Sequence, residues 1–293
     1  MKISVPATSA NLGPGFDTLG LALNLRNKVI IKPSKFHSVS LRGEGSRNPA
    51  LKDNNMFVGI FNDFHKNLTT KRNNYRFEFY NDIPLSRGLG SSSAVIASAI
   101  ACAYAVENID IPKQKLLDLA LSYEAHPDNI TPAIMGGFTT SVVQDNEVKY
   151  IKKSLPKDIC AVVVIPNRPI STHYSRKTLP TKYTKEESIF NLSHCSVLTA
   201  AFMSEKWDML RVASQDMFHQ SYRMKQMPEL FAVQKTALRH GALMSTLSGS
   251  GSTFLNICMS RDSEKLQEKL SSEFPHFKVL TLGFDNIGVK IEK

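Results

Sequence analysis

The sequence predicts a protein of mixed helices and strands, arranged in two structural units. Its 293 residues, 42% of them hydrophobic, can bury one large core or two modest ones, and a chain of this length more often forms two units. Short alternating runs typical of strands, such as 76–80, occur between apolar stripes with helical spacing, such as 56–64. A charged, hairpin-like segment at 146–158 marks the expected boundary, so we expect one unit from 1 to 152 and another from 153 to 293.

The chain is basic, because 36 Lys and Arg exceed 26 Asp and Glu and give a formal charge of +10. Such a charge suits polyanions or anionic metabolites equally and does not define a fold. A nucleic-acid-binding protein would concentrate its positive residues, whereas here they are scattered. We therefore expect no nucleic-acid partner, with a basic RNA-binding module kept as an alternative.

The cysteines and the N-terminus indicate a cytoplasmic protein. The four cysteines are widely spaced, with no zinc or redox motif, which is typical of free thiols in a reducing compartment. The N-terminus lacks the apolar core of a signal peptide, and the apolar run at 94–106 is too short to span a bilayer. We expect a soluble chain without a membrane partner.

The first polar motif runs from Pro6 to Gly20, between predicted strands at 2–5 and 28–32. Three glycines and two prolines in these fifteen residues predict a loop rather than regular structure. It could be a plain turn, but a loop of this length is more often a binding loop. Asn11 and Asp17 are its candidate functional residues.

A glycine- and serine-rich loop at 84–94 leads into a small, apolar segment that predicts a buried helix. Backbone N–H groups at a helix N-terminus have no partner within the helix, and the helix dipole favours anions there. The loop is not the common phosphate loop, because Ser91 and not Lys follows Gly90. It predicts either an anion site or an ordinary serine-rich helix cap.

A rigid polar corner begins at Glu124, before a predicted strand at 139–143. Two carboxylates, a histidine and an asparagine lie within six residues, at Glu124, His126, Asp128 and Asn129. This composition suits a divalent cation held by a carboxylate, with Asp128 and Asn129 directed at a substrate. Alternatively, Asp128 and Asn129 cap the next segment and His126 is a surface residue.

The second half offers fewer signals. Thr172 and Arg176 are four residues apart and share a face if their segment is helical. Arg223, near the end of a predicted helix at 207–222, is a surface cation or an anion clamp. The glycines of 247–255, Gly249 among them, allow close approach to a phosphate or another loop.

The string P-x-x-x-G-L-G-S-S at 84–92 resembles the nucleotide loop of the GHMP kinases, named after galactokinase, homoserine kinase, mevalonate kinase and phosphomevalonate kinase. The motifs at 6–17, 124–129, 171–176 and 219–223 resemble those of the homoserine kinase family within it. The resemblance covers essentially the whole chain. It implies an α+β fold of two domains, an N-terminal domain like ribosomal protein S5 domain 2 and a C-terminal ferredoxin-like domain.

The same resemblance implies phosphoryl transfer from ATP, with Mg²⁺, to the side-chain hydroxyl of L-homoserine in threonine biosynthesis, by a homodimer. Nucleotide binding is implied for Asn55, Pro84, Leu85, Ser86, Arg87, Gly88, Leu89, Gly90, Ser91, Ser92, Ser93 and Ala94, and metal binding for Ser92 and Glu124. Substrate binding is implied for Asn11, Asp17, His126, Asp128, Asn129, Arg176, Arg223 and Gly249, and catalysis for Asn129, Thr172 and Arg176.

The implied charges at the substrate site favour an amino-acid acceptor over mevalonate or shikimate. Arg176 and Arg223 would pair with a carboxylate, and Asp17 and Asp128 with an ammonium. Related kinases with a catalytic aspartate carry it where homoserine kinases carry asparagine, here Asn129. An amide cannot accept the proton, so we expect catalysis by positioning and electrostatics, with a base at Asp128 or His126 as the alternative.

Overall fold

The computed structural model describes residues 1–70, 73–170 and 172–292, without the side chains of 172–174. Within these ranges the strands form a seven-stranded and a four-stranded sheet. The strands are β1 (Lys2–Ala10), β2 (Leu19–Ser34), β3 (Ser38–Gly43), β4 (Asn74–Asn81), β5 (Phe138–Gln144), β6 (Glu147–Lys153), β7 (Ile159–Ile165), β8 (Met244–Leu247), β9 (Phe254–Met259), β10 (Lys278–Leu282) and β11 (Lys290–Glu292).

Helices lie between some of these strands along the chain, and short 3₁₀ turns occupy Trp207–Met209 and Ser260–Asp262. The helices are α1 (Ala50–Asp53), α2 (Met56–Leu68), α3 (Ser91–Val106), α4 (Lys113–Ala120), α5 (Pro127–Met135), α6 (Thr172–Lys177), α7 (Lys185–Ser204), α8 (Leu210–Ala213), α9 (Gln220–Met224), α10 (Glu229–Arg239) and α11 (Ser263–Glu273). In the described ranges, no helix is both long and apolar enough to cross a membrane.

Helix α3 is the central element of the first unit. Its alanines and other small residues are buried on several sides, and the helix contacts α2, α4, α5 and β1. Small side chains let these neighbours approach closely and leave little space unfilled. The buried position of α3 fixes its N-terminus, and therefore the loop before it, relative to the sheet.

The loop of the first motif is shorter than the sequence predicts. Strand β1 continues to Ala10 and β2 begins at Leu19, so only residues 11–18 are a loop. The register between the two strands shifts between Pro6 and Ala7. Such a bulge accommodates a proline, which has no N–H for the ladder, and pairing resumes beyond it.

The single helix predicted at 207–222 is also wrong. A 3₁₀ turn and α8 end at Ala213, and α9 starts only at Gln220. Between them, the carboxylate of Asp216 accepts hydrogen bonds from the N–H groups of Phe218, His219 and Gln220. A side chain that captures backbone donors in this way starts a new helix rather than continuing the old one.

The second unit is built on the antiparallel sheet β10-β7-β9-β8. Alternate residues of β7 face two hydrophobic clusters: Val162 and Val164 pack with α10 and α11, whereas Ala161 and Val163 join the large cluster that includes α3. A sheet with both faces buried joins the two units in one packed structure. The predicted boundary at 152/153 lies at the end of β6, but β11 returns to pair with β1, so residues 290–292 belong to the first sheet.

Candidate active site

A cavity of about 370 Å³ lies between the two units. It contains most of the residues that the sequence singles out, from distant parts of the chain. These are Asn11, Asp17, Pro84, Leu85, Ser86, Arg87, Gly88, Leu89, Gly90, Ser91, Ser92, Glu124, His126, Asp128, Asn129, Arg176, Arg223 and Gly249. One end of the cavity is formed by the loop before α3, and the other by charged side chains.

The loop at 84–90 is held by its carbonyl groups. The carbonyl of Arg87 accepts from the N–H of Thr253 at 3.0 Å, that of Leu89 from the N–H of Thr8 at 3.1 Å, and that of Gly88 from the Ser248 hydroxyl at 2.6 Å. Three carbonyls are thereby directed at protein donors. The N–H groups of the first turn of α3 have no acceptor within the helix, which makes this end of the cavity suited to an anion.

Two glycines of this loop are required by geometry. Gly88 and Gly90 have φ values of +73° and +67°, in the left-handed region that disfavours side chains. A Cβ at Gly88 would lie 2.1 Å from the Ser248 carbonyl oxygen, and one at Gly90 would lie 1.9 Å from the Thr8 hydroxyl oxygen. The loop can pass this close to its neighbours only without side chains.

A carboxylate and two serines lie beside the first turn of α3. The Ser93 hydroxyl donates to Glu124 Oε2 at 2.5 Å, while Ser92 is exposed at the cavity. Burial raises the pKa of Glu124, and the hydrogen bond from Ser93 opposes that rise. Ser93, assigned by resemblance to the nucleotide, therefore holds the carboxylate. Among the described residues, no group of three or more His, Cys, Asp or Glu could hold a metal ion.

At the charged end of the cavity, Asp17 and Arg176 are paired with each other. Arg176 Nη2 lies 2.6 Å from Asp17 Oδ1 and Nη1 lies 3.1 Å from Oδ2. His126 Nδ1 is 3.4 Å from the same carboxylate. Sequence reasoning placed the arginine and the aspartate on opposite charges of a ligand, whereas in the structure they satisfy each other.

Arg223 is the most deeply buried cation of the cavity, at 2% exposure. Its Nη1 donates to the Gly249 carbonyl at 2.9 Å, and the Asn11 amide donates to the same oxygen at 3.1 Å. The guanidinium carbons of Arg176 and Arg223 each lie 5.3 Å from the ring centre of Phe16. Burial, followed by the charge of Arg176, lowers the pKa of Arg223 to about 10, so it remains charged at neutral pH.

Asn129 lies between the two ends and has a fixed orientation. The Thr8 hydroxyl donates to Asn129 Oδ1 at 2.8 Å, and Asn129 Nδ2 lies 3.5 Å from Asp128 Oδ1. Burial, together with the charges of Asp17 and Glu124, raises the pKa of Asp128 to about 8. Sequence reasoning missed Thr8, although it belongs to the first motif.

Two residues predicted to bind the nucleotide, Asn55 and Ala94, do not line the cavity. Asn55 caps α2: its Oδ1 accepts from Val58 N–H at 3.2 Å and its Nδ2 donates to the Leu51 carbonyl at 2.8 Å. Leu51 and Met56 line the cavity in its place. The Ala94 N–H bonds to the Gly90 carbonyl inside the first turn of α3. Helix α6 starts at Thr172, whose side chain lies outside the described part of the structure.

Comparisons with known proteins identify the family to which the chain is similar. The family models for the GHMP kinases N-terminal domain and the GHMP kinases C-terminal region match residues 55–137 and 198–276. The chain is 69% identical over 292 residues to a homoserine kinase of Aliarcobacter butzleri, with 100% of both covered, and 60% identical over 289 residues to one of Wolinella succinogenes, with 99% of both covered. A crystal structure of homoserine kinase from Cytophaga hutchinsonii shares the fold, with a TM-score of 0.88 at 24% identity over 100% of this chain and 97% of that one.

The fold alone would place the chain among several kinds of small-molecule kinase. Full-length identity of 69% to a homoserine kinase distinguishes one family among these kinases, and the cavity has the loop and the charged side chains that its motifs imply. The chain belongs to the homoserine kinase family of the GHMP kinases.

Proposed function

We propose that this cavity transfers the γ-phosphoryl group of ATP to the side-chain hydroxyl of L-homoserine, giving O-phospho-L-homoserine. One observation carries the proposal: a backbone anion site and a cluster of two arginines with two aspartates face the same cavity. The first matches a polyphosphate, and the second matches the two opposite charges of a free amino acid. Full-length relatives named homoserine kinase support the same acceptor.

The phosphates would lie on the loop at 84–93. The phosphoryl transition state spreads negative charge over oxygens, and preorganised N–H groups stabilise that charge without having to reorient. Because the loop carbonyls already bond within the protein, the cost of ordering the loop is met during folding. Leu51 and Met56, beside the same end, give an apolar wall for the base.

Mg²⁺ fits the donor set at this end. Magnesium bound with a nucleotide takes one or two protein oxygens and completes its octahedron with phosphate oxygens and water. Glu124, held by Ser93, and the exposed hydroxyl of Ser92 provide such oxygens. When bound, the ion would neutralise negative charge on the phosphates of the nucleotide. A site of one carboxylate is consistent with finding no larger cluster of ligands among the described residues.

The amino acid would bind at the charged end. Its carboxylate matches Arg223 and Arg176, each charged hydrogen bond contributing about 1.5–3 kcal/mol. Its ammonium matches Asp17 and Asp128, with the Asn11 amide beside them. The ion pair between Asp17 and Arg176 keeps both side chains in position without the ligand. When the amino acid binds, part of this pairing would be replaced by contacts from Asp17 to the ammonium and from Arg176 to the carboxylate.

Asn129 would orient the attacking hydroxyl. Thr8 accounts for the Oδ1 of its amide, which leaves Nδ2 as the group that can contact the substrate. With a pKa near 8, Asp128 is mostly protonated at neutral pH in the free protein and is a poor base. These groups therefore support transfer by positioning, with the hydroxyl proton passing to a phosphate oxygen or to solvent.

An ADP-release assay with a panel of acceptors tests the function. We expect turnover with L-homoserine, and none with mevalonate, with shikimate or without an acceptor. Turnover on another acceptor in preference to L-homoserine would refute the assignment. RNA binding without ATP turnover would instead favour the alternative of a basic RNA-binding module.

The predicted homodimer and cytoplasmic location stay predictions. Helix α7 exposes 54% of Ile189 and 70% of Leu192, which are apolar groups that a subunit contact could cover. Sedimentation equilibrium over a range of concentrations measures the mass directly. A species of single-chain mass at all concentrations would contradict the dimer.

A further inference from the structure

His219 is fully buried beside the amino-acid end of the cavity, but does not line it. Its Nε2 lies 2.8 Å from the Gly13 carbonyl oxygen, and its Nδ1 lies 3.2 Å from Nη1 of Arg223. A carbonyl oxygen can only accept and a guanidinium nitrogen can only donate. The ring must therefore be neutral, with its hydrogen on Nε2 and its lone pair on Nδ1.

One nitrogen of the Arg223 guanidinium, Nη1, makes its hydrogen bonds to other residues of the protein. Nη1 donates to His219 Nδ1 and to the Gly249 carbonyl, which accounts for both of its hydrogens. The buried Nε, in contrast, has no hydrogen-bond partner among the described residues. A buried unpaired donor on an arginine is costly, and Nε and Nη2 together form the fork that binds a carboxylate in a bidentate manner.

The same imidazole contacts the loop that carries Asp17. The Gly13 carbonyl belongs to that loop, and the ring of Phe16 lies 5.3 Å from the ring of His219. Phe16 in turn lies 5.3 Å from the guanidinium carbons of Arg176 and Arg223. His219 therefore fixes Arg223 directly, and it also contacts the Phe16 ring against which both guanidinium groups lie.

The geometry points to His219 as a positioning residue that, by accepting a hydrogen bond from Arg223 Nη1, directs the remaining donor edge of Arg223 at the acceptor's α-carboxylate. The inference rests on the proposed function, and it makes His219 a determinant of selectivity for acceptors that carry a carboxylate. A histidine that only filled space would affect all acceptors alike.

The test compares His219→Leu with His219→Gln on two acceptors. Leucine removes both hydrogen bonds, whereas a glutamine amide has an oxygen to accept from Arg223 and a nitrogen to donate to Gly13. The acceptors are L-homoserine and 3-aminopropan-1-ol, which keeps the hydroxyl and the amine but lacks the carboxylate. His240→Leu is the control, because His240, the C-cap of α10, lies outside the cavity lining and its ring bonds back to the Thr236 carbonyl of that helix.

For His219→Leu we expect kcat/KM with L-homoserine to fall about tenfold or more, mainly through KM. The value with 3-aminopropan-1-ol and the KM for ATP should change less than about threefold, and His219→Gln should regain most of the loss. Equal losses on both acceptors, an unchanged KM for L-homoserine, or no recovery with glutamine would each overturn the inference.

A second measurement does not depend on the variants folding. ¹⁵N NMR of the histidine rings of the wild-type protein should show a neutral ring at His219 with the hydrogen on Nε2, assigned by the contact of that ring with Phe16. A charged ring, or a hydrogen on Nδ1, would overturn the inference. Failure of the proposed function is recognised separately, since the wild-type chain would then release no ADP with L-homoserine.

Discussion

At the proposed phosphate end of the cavity the candidate binding groups belong to the backbone, whereas at the proposed amino-acid end they belong to side chains. The loop before α3 depends on the absence of side chains at Gly88 and Gly90 and on carbonyls already bonded to the protein. The charged end depends on partners, because Arg176 is held by Asp17 and Arg223 by His219. Substitutions should therefore act by steric exclusion at one end and by loss of charge or orientation at the other.

Gly88→Ala should give the largest effect. Its Cβ would lie 2.1 Å from a backbone oxygen at a φ of +73°, so the loop must move, at a cost of about 1–3 kcal/mol in backbone strain alone. We expect turnover to fall more than about a hundredfold, with a lower melting temperature.

Gly59→Ala is the matched control, since a Cβ there meets nothing within 4 Å and the site lies inside α2. Alanine at such a position should stabilise by roughly 0.5–1 kcal/mol and leave turnover unchanged. Near-normal turnover in Gly88→Ala would show that the loop does not need its observed path.

Arg223→Met should sharpen the contrast between the two ends. It removes a charged donor from the amino-acid end only, so the KM for L-homoserine should rise about 10- to 100-fold while the KM for ATP changes less than twofold. Steady-state kinetics with each substrate varied in turn measures both. The exposed Arg239, at the end of α10, provides the control Arg239→Met. A parallel rise in the KM for ATP would mean that the ends are not independent.

Ser93→Ala should have a smaller effect. It removes the hydroxyl that donates to the Glu124 carboxylate beside the loop before α3. Burial raises the pKa of Glu124 and the Ser93 hydroxyl opposes that rise, so removing the hydroxyl should raise the pKa further. The acid limb of the kcat/KM profile for ATP, which reports the free protein, should move to higher pH, with up to about a tenfold loss at neutral pH. Ser98→Ala, one to two turns further along α3, should leave the profile unmoved, because the Ser98 hydroxyl bonds back to the Ala94 and Val95 carbonyls of its own helix. If the acid limb did not shift in Ser93→Ala, the Ser93 hydroxyl would not control the pKa of the group that titrates there.

The motifs and most elements were predictable because they depend on local pattern, whereas the connections between them were not. Spacing and composition identify Asn11, Asp17 and the loop at 84–94, and the structure brings these into one cavity. Thr8 was missed because its partner Asn129 is 121 residues away, and no local pattern encodes such a pairing. The same holds for His219, whose partner Gly13 is 206 residues away.

The errors have local causes as well. Glycine and proline counts over the first motif indicate a loop, but strand pairing with β2 keeps residues 7–10 extended, since tertiary context overrides composition. In 207–222, apolar spacing predicts one helix, but the carboxylate of Asp216 captures the backbone donors that would have continued it. Both segments lead directly into residues that line the cavity, Asn11 and Arg223. At such sites the tertiary contacts decide the backbone conformation, and the local propensity of the sequence does not.

Asp128→Asn should produce the smallest loss of binding function and a gain in stability. An aspartate in an unfolded chain titrates near pH 3.9, whereas the pKa of Asp128 in the folded protein is about 8. Between these values the folded protein keeps a proton that the unfolded chain has released. The free energy of unfolding therefore falls as pH rises through this window, by about 1.4 kcal/mol per pH unit for one proton.

Asparagine does not titrate, so Asp128→Asn should lack this loss. Urea denaturation at pH 5 and pH 7 should show the variant gaining about 2–3 kcal/mol on the wild type between the two values, while its KM for L-homoserine rises. Asp63→Asn is the control of opposite sign, because Lys66 and Tyr123 lower the pKa of the exposed Asp63, and its stability difference should change little with pH. A pH-independent difference for Asp128→Asn would mean that the carboxylate is already ionised in the free cavity, and Asp128 would then become a credible base. The proposed amino-acid site thus lowers the stability of the free protein, because it buries Asp128 beside Asp17 and Glu124 before the ligand's ammonium can neutralise them.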